Sequence, residues 1–170
     1  MIHVDAILEQ WGRERPDLDV GPMGLTGRLT RIARHLKREM EKSFAVHDLN
    51  LASFDVLATL RRSGSPYRLS PGDLMANTMV TSGTMTNRVD QLVLAGHVER
   101  IKNPNDGRSV LIALTDLGLK VIDAAVTDHV DNLARLTSGL TESQAKRLDR
   151  LLDQFLVILE SADDEGCEPI

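Results

Sequence analysis

The sequence predicts a mainly α-helical chain that carries one small β-hairpin. Three observations predict it. Apolar residues recur at three- and four-residue steps through most of the chain, the period of an amphipathic helix. Leu, Ala and Val dominate while aromatic residues make up only 3%, a balance that favours helix over sheet. Between Tyr67 and Gly118 the helical period gives way to a short strand, two short helices, and two strand-like runs around a basic turn. That last order is a winged helix-turn-helix, a module that lays its second helix in the major groove of DNA. The rest of the chain is then a helical dimerisation scaffold that positions two copies on a duplex.

Residues 4–15 (V-D-A-I-L-E-Q-W-G-R-E-R) form an extra N-terminal helix with Val4, Ile7, Leu8 and Trp11 on one side, broken by Pro16. So short a helix is marginal alone and needs a surface to lie on. Trp11, the sole tryptophan, reads either as a packing anchor or as the wall of a ligand pocket. Residues 23–46 repeat the helical pattern through Leu25, Leu29, Ile32, Leu36, Met40 and Phe44, with Arg28, Arg31, Arg34, Lys37, Arg38 and Lys42 opposite. The basic run reads better as a solvated face than as a DNA surface. Asn50 caps the next helix, which ends near Gly64, and Leu49 with Phe54 fits the staple around the cap. Asp55 lies past the first turn with no cation at three or four residues either side, so it is either edge-exposed or partnered from elsewhere. These helices make up residues 1–64 of the scaffold.

Residues 65–115 are the DNA-binding module. Ser70-Pro71-Gly72-Asp73 opens its first helix with an N-cap, a proline at the first position and an acid in the first turn. N-T-M-V makes the turn and Thr81 caps the second helix, which runs to about Ala95. Met85, Val89, Leu92 and Val93 are its buried stripe. At about 100° per residue the opposite side presents Gly83, Thr86, Asn87 and Asp90, with Thr84 and Gln91 beside them. Small hydroxyl and amide groups suit base edges and phosphates, whereas a merely solvated helix would carry long Lys and Glu side chains. Arg88 flanks the buried stripe and reaches either a phosphate or back toward the scaffold. H-V-E-R-I-K and S-V-L-I-A-L are the hairpin strands around N-P-N-D-G-R. Arg108 near the tip is placed for the minor groove, oriented by an ion pair with Asp106, while Arg100 and Lys102 hold phosphates. The expected DNA contacts are therefore Ser82, Gly83, Thr84, Thr86, Asn87, Arg100, Lys102 and Arg108.

Thr115 caps a long helix over 116–136, and Thr141 with Gln144 makes a capping box for the last one. These C-terminal dimerisation helices (116–160) carry more apolar surface than one pair can hide, which predicts a two-fold dimer. Residues 161–170 form an acidic tail: Asp163, Asp164, Glu165 and Glu168 without a cation. That tail accounts for most of the net charge of −5. The DNA-binding module has five cations against four anions, a weak basic footprint that needs dimerisation to double it. No apolar run approaches a membrane span, and no secretory signal is evident at the N-terminus, so a cytoplasmic location is expected. Cys167, flanked by acids, is read as incidental.

The run V-T-S-G-T-M-T-N-R-V-D-Q-L-V-L-A-G-H-V-E-R, followed by N-D-G-R-S and L-T-D-L-G, resembles the MarR family of bacterial transcription regulators over roughly residues 25–160. The resemblance implies obligate dimers that repress genes at palindromic operators and are released by small, often anionic ligands. The extension Q-W-G-R-E-R-P-D-L-D joined to G-R-L-T-R-I looks like the urate-responsive branch (HucR- and PecS-like proteins). Residues matching that branch's ligand positions are Trp11, Asp55 and Arg88. The implied ligand is urate or a related anion, engaging Arg88 and stacking near Trp11; a tricarboxylate is the alternative. An interaction scaffold without DNA binding is a further alternative that the low basic charge keeps open. An enzyme is not expected: the five histidines are scattered, and no metal site, cofactor motif or nucleophile–base pair is apparent.

Overall fold

A computed structural model describes residues 3–78, 82–104 and 106–165, the side chains of 82–84, 107 and 162–165 excepted. The elements follow in order: α1 (His3–Glu14), α2 (Gly21–Ala45), α3 (Leu51–Arg62), β1 (Arg68–Leu69), α4 (Pro71–Asn77), α5 (Ser82–Leu94), β2 (Val98–Asn103), β3 (Asp106–Leu114), α6 (Asp116–Thr137) and α7 (Glu142–Glu165). The mainly helical class with a small sheet is thus observed. The expected Thr81 cap and the N-T-M-V turn fall at or beside residues 79–81, which lie outside the described residues, as does Cys167.

Two compact units form, Met1–Asn132 and Leu133–Ile170. The first holds one core in which Phe44, Leu49, Val56, Leu57, Leu60, Leu74, Met85, Val89, Leu92, Val98, Ile112, Ile122 and Ala125 are buried together. Ile122 and Ala125 carry the first half of α6 into this core.

The starts of α3, α4 and α7 use the chemistry their sequence advertises. Asn50 Oδ1 accepts the Ser53 N–H at 3.0 Å. Ser70 Oγ accepts the Asp73 N–H at 3.1 Å and donates to the Asp73 carboxylate at 2.7 Å. In the second unit, Thr141 and Gln144 exchange the reciprocal bonds of a capping box: Thr141 N–H to Gln144 Oε1 at 2.8 Å, and Gln144 N–H to Thr141 Oγ1 at 3.3 Å. Leu148, Leu151, Leu152, Leu156, Val157, Ile158 and Leu159 of α7 stay exposed.

α1 lies on the N-terminal half of α2. Val4 is buried, Asp5 pairs with Arg28, and Gly24 of α2 leaves the room that Leu8 fills: a Cβ there would stand 2.9 Å from Leu8. Several α2 cations are taken up in ion pairs, Lys42 with Glu39 at 2.8 Å and Lys37 with Glu41 at 3.9 Å among them. That is the behaviour of a solvated face, and such exposed pairs add little stability.

The sheet has the order β1-β3-β2, antiparallel throughout. The wing turn is tighter than N-P-N-D-G-R suggested, because Asp106 already pairs with Asn103 at the start of β3. The register then jumps: Lys102 faces Val110, which leaves residues 107–109 as a bulge.

At the other end of the hairpin, α6 begins against the chain that leaves α5. Thr115 Oγ1 donates to the Gly96 carbonyl at 2.7 Å and accepts the Gly118 N–H at 3.0 Å, while the Thr115 N–H bonds the His97 carbonyl at 3.1 Å. Gly118 is buried against that carbonyl, and a Cβ there would fall 1.9 Å from the His97 oxygen. Gly118→Ala is therefore expected to destabilise the fold by at least about 2 kcal/mol. Gly12→Ala, in α1 with nothing within 4 Å, should be neutral or stabilising by up to about 1 kcal/mol. Urea denaturation of both variants checks the pair; equal midpoints would refute the close-packing account.

Candidate DNA interface and ligand site

α5 has two working sides. Met85, Val89 and Leu92 bury its inner stripe. Thr86, Asn87, Asp90 and Gln91 stand exposed, as their 100° spacing predicted. Ser82, Gly83 and Thr84 open the same helix, and their side chains lie outside the description. Arg100 and Lys102 project exposed from β2. Arg100 Nη2 bonds the Asp90 carboxylate at 2.5 Å, tying the wing strand to α5 and fixing one edge of the guanidinium.

Arg108 is exposed and sits in the bulge of β3. The expected pairing of its guanidinium with Asp106 is replaced by a backbone contact: Asp106 Oδ1 accepts the Arg108 N–H at 3.0 Å. Asn103 Nδ2 donates to Ser109 Oγ at 2.9 Å, and Ser109 Oγ donates to the Asp106 carbonyl at 3.1 Å. Asn103, Asp106 and Ser109 thus build the tip that aims Arg108. The signal was present in the turn-forming Asn, Asp and Ser residues, but their roles depend on the bulge.

Arg88 turns back toward the scaffold. Its Nη1 reaches Ser53 Oγ at 3.3 Å and Gln91 Oε1 at 3.4 Å. Ser53 is buried in α3, 7% exposed. Arg88 lines a small polar cavity of about 190 Å³ with Asp48, Leu49, Asn50, Ser53, Gln91 and His97.

Asp55 is half-buried on another side of α3, at the edge of an apolar cavity of about 620 Å³. Phe44 and Phe54 stack there at 4.0 Å between ring centroids, and His129 of α6 lies 5.0 Å from Phe44. The two cavities share Asn50. Trp11 lines neither; it is 41% exposed on α1. One chain therefore sets Asp55 on one face of α3 and Arg88 of α5 against a neighbouring face, and leaves Trp11 apart. Sequence reasoning missed Ser53, His97 and His129, which carry no motif and acquire a place only by packing.

A family model described as MarR family matches residues 47–109. The HTH-type transcriptional regulator PecS of Dickeya dadantii (strain 3937) is 40% identical over 151 residues, covering 89% of this chain and 91% of that protein. The multiple antibiotic resistance protein MarR of Escherichia coli (strain K12) is 32% identical over 137 residues, 76% of this chain and 90% of that one. A crystal structure of a mutant E. coli MarR complexed with operator DNA superposes with a TM-score of 0.66 at 27% identity, covering 86% of this chain and 97% of that one. These relatives are regulators rather than enzymes. No helix among the described residues is long and apolar enough to cross a membrane.

Burial pushes the His97 and His129 imidazoles below the ordinary value of 6.5. Burial disfavours their charged forms in the folded protein, whereas the unfolded chain takes up protons below about 6.5, so their contribution to stability is lost as pH falls through that value. The thermal midpoint should drop between about pH 7 and pH 5, and less steeply in a His97→Gln, His129→Gln variant. Identical pH slopes in circular-dichroism melts would refute the assignment.

Proposed function

The chain belongs to the MarR family of transcriptional regulators, and on that premise we propose that it is a dimeric repressor released from a palindromic operator by a small anionic ligand, urate or a related compound. The observation that carries this reading is the division of labour on α5. Its outer side offers Thr86 and Asn87 with nothing bulky between them, while Arg88 on its inner flank is bonded to Ser53 of the scaffold. One helix then belongs both to the DNA surface and to the ligand site. Residues 65–115 are the reading module, with Ser82, Gly83, Thr84, Thr86 and Asn87 toward the major groove, Arg100 and Lys102 on phosphates, and Arg108 in the minor groove.

Dimerisation is supported by the row of exposed apolar residues on α7, which a monomer leaves in water at about 25 cal/mol per Å². A dimer also doubles the weak positive field of one module. In this reading the ligand engages Arg88 and Asp55; Trp11 joins them only through the second copy or a movement of α1. Occupation shifts α5 and takes the two reading helices out of register with the groove. This needs tighter binding to the released state than to the DNA-bound one.

Arg108→Ala is expected to weaken operator binding about tenfold or more, with the dimer intact by light scattering. Unchanged affinity in a salt-titrated gel shift would remove the wing from the interface. Trp11→Phe, Asp55→Ser and Arg88→Ala should each raise the ligand concentration needed for operator release, with little effect on DNA binding in its absence. A release assay with urate, other purines and small polycarboxylates reads both. If no compound releases the DNA, or the three variants respond as the parent does, the ligand assignment fails.

A further inference from the structure

The outer side of α5, which the proposed function turns to DNA, carries a carboxylate. Asp90 follows Thr86 and Asn87 by one helical turn and is exposed on their face. An anion there opposes the phosphates of any duplex within about 8–10 Å. The other acids described in the module have tasks or positions elsewhere. Asp73 caps α4, Asp106 holds the Arg108 N–H, and Glu99 lies on the opposite face of β2 from Arg100. Asp90 bonds Arg100 Nη2 at 2.5 Å, and both residues are exposed. So exposed a pair adds little to stability, which leaves its place on the groove face to be explained.

Packing alone does not fix the head of Arg100. Strand alternation puts Arg100 on the same side of β2 as buried Val98, opposite Ile112 of β3. It lines a cavity of about 240 Å³ with Met85 and Val89 of α5 and with Ile112. That space gives the side chain room for other rotamers, so the bond to Asp90 is what selects this one. A guanidinium has five donors, and this bond engages Nη2. The rest of the head is thereby aimed from a fixed point on α5.

We propose that Asp90 is a specificity-determining residue: it holds the Arg100 guanidinium to α5, so that this cation reaches a phosphate only when α5 is seated in the groove. The proposal rests on the reading that α5 and the wing meet DNA. Unattached cations follow phosphates wherever they lie, and that attraction carries nearly all binding to DNA of arbitrary sequence. A guanidinium already neutralised by Asp90 offers little to a duplex bound out of register. In register its fixed direction meets the backbone, and the contact adds affinity with less ordering of the side chain. Asp90 therefore weakens the wrong complexes more than the right one, a repulsive element built into the reading surface.

The test uses the full chain and two duplexes of equal length: one selected from a random library for tight binding to the parent, and a shuffled version of it. Affinities are measured across a salt series. Asp90→Asn should tighten binding to the shuffled duplex about fivefold and steepen its log–log salt slope by about one. Binding to the selected duplex should stay the same or weaken, so the ratio between the two falls about fivefold or more. Arg100→Met keeps an apolar stem; in that background Asp90→Asn should leave the ratio unchanged within about twofold. Glu99→Gln removes an acid of the same strand as Arg100 and should move both duplexes together. Asp90→Ser repeats the test with a smaller side chain and keeps it readable if Asp90→Asn fails to fold. A ratio unchanged by Asp90→Asn, an equal fall with and without Arg100, or an equal fall in Glu99→Gln overturns the proposal and leaves the DNA reading standing. A parent with no salt-dependent binding to any duplex sinks both.

Discussion

The winged module depends on one seam, where the chain leaving α5 meets the start of α6. Thr115 bonds the carbonyls of Gly96 and His97, caps Gly118, and lets the α6 backbone press against the His97 oxygen where no side chain fits. This seam joins the end of the reading helix, the root of the hairpin and the helix that continues into the second unit. The L-T-D-L-G motif is thus a packing requirement. Threonine supplies the bonds and glycine the absence of a Cβ.

A second layer of restraint sits around it. Arg61 of α3 pairs with Asp123 of α6 at 2.6 Å and lies over the Tyr67 ring, and His47 meets Asp128 at 2.8 Å. Arg62 and Thr59 both donate to the Asn77 carbonyl at the end of α4. α3 is consequently the hub: its buried residues form the core, its C-terminal cations brace α4, β1 and α6, and Ser53 near its start meets Arg88 of α5. A change at Ser53 or Arg88 acts on a helix otherwise fixed by apolar packing and by the Arg100–Asp90 pair. Among the α3–α5 contacts it is this polar one, rather than the core, that the proposed ligand response would act on.

Much of this was legible in the chain, and for identifiable reasons. Helix starts were readable because caps act within three residues: Asn50, Ser70, Thr115 and Thr141 each bond the N–H their spacing indicates. The faces of α5 followed from its period. The wing was harder. Its strands were evident, but the bulge that re-aims Arg108 depends on cross-strand register, which a linear pattern does not carry. The candidate ligand site was the least legible. Asp55 and Arg88 drew attention as charges beside apolar stripes, whereas Ser53 and His97 look ordinary until α3 and α5 are packed together.

By itself, then, the sequence determined the element order, the caps and the outward face of α5, because each follows from local sterics and hydrogen bonding within a few residues. Only the tertiary structure decided that Arg88 turns inward to Ser53, that Asp106 holds backbone rather than the Arg108 guanidinium, and that Arg88 and His97 share one cavity. Those outcomes join residues 35 positions apart, hang on a register shift, or need α3 packed against the end of α5, and their energies exist only once separate elements have removed the same water.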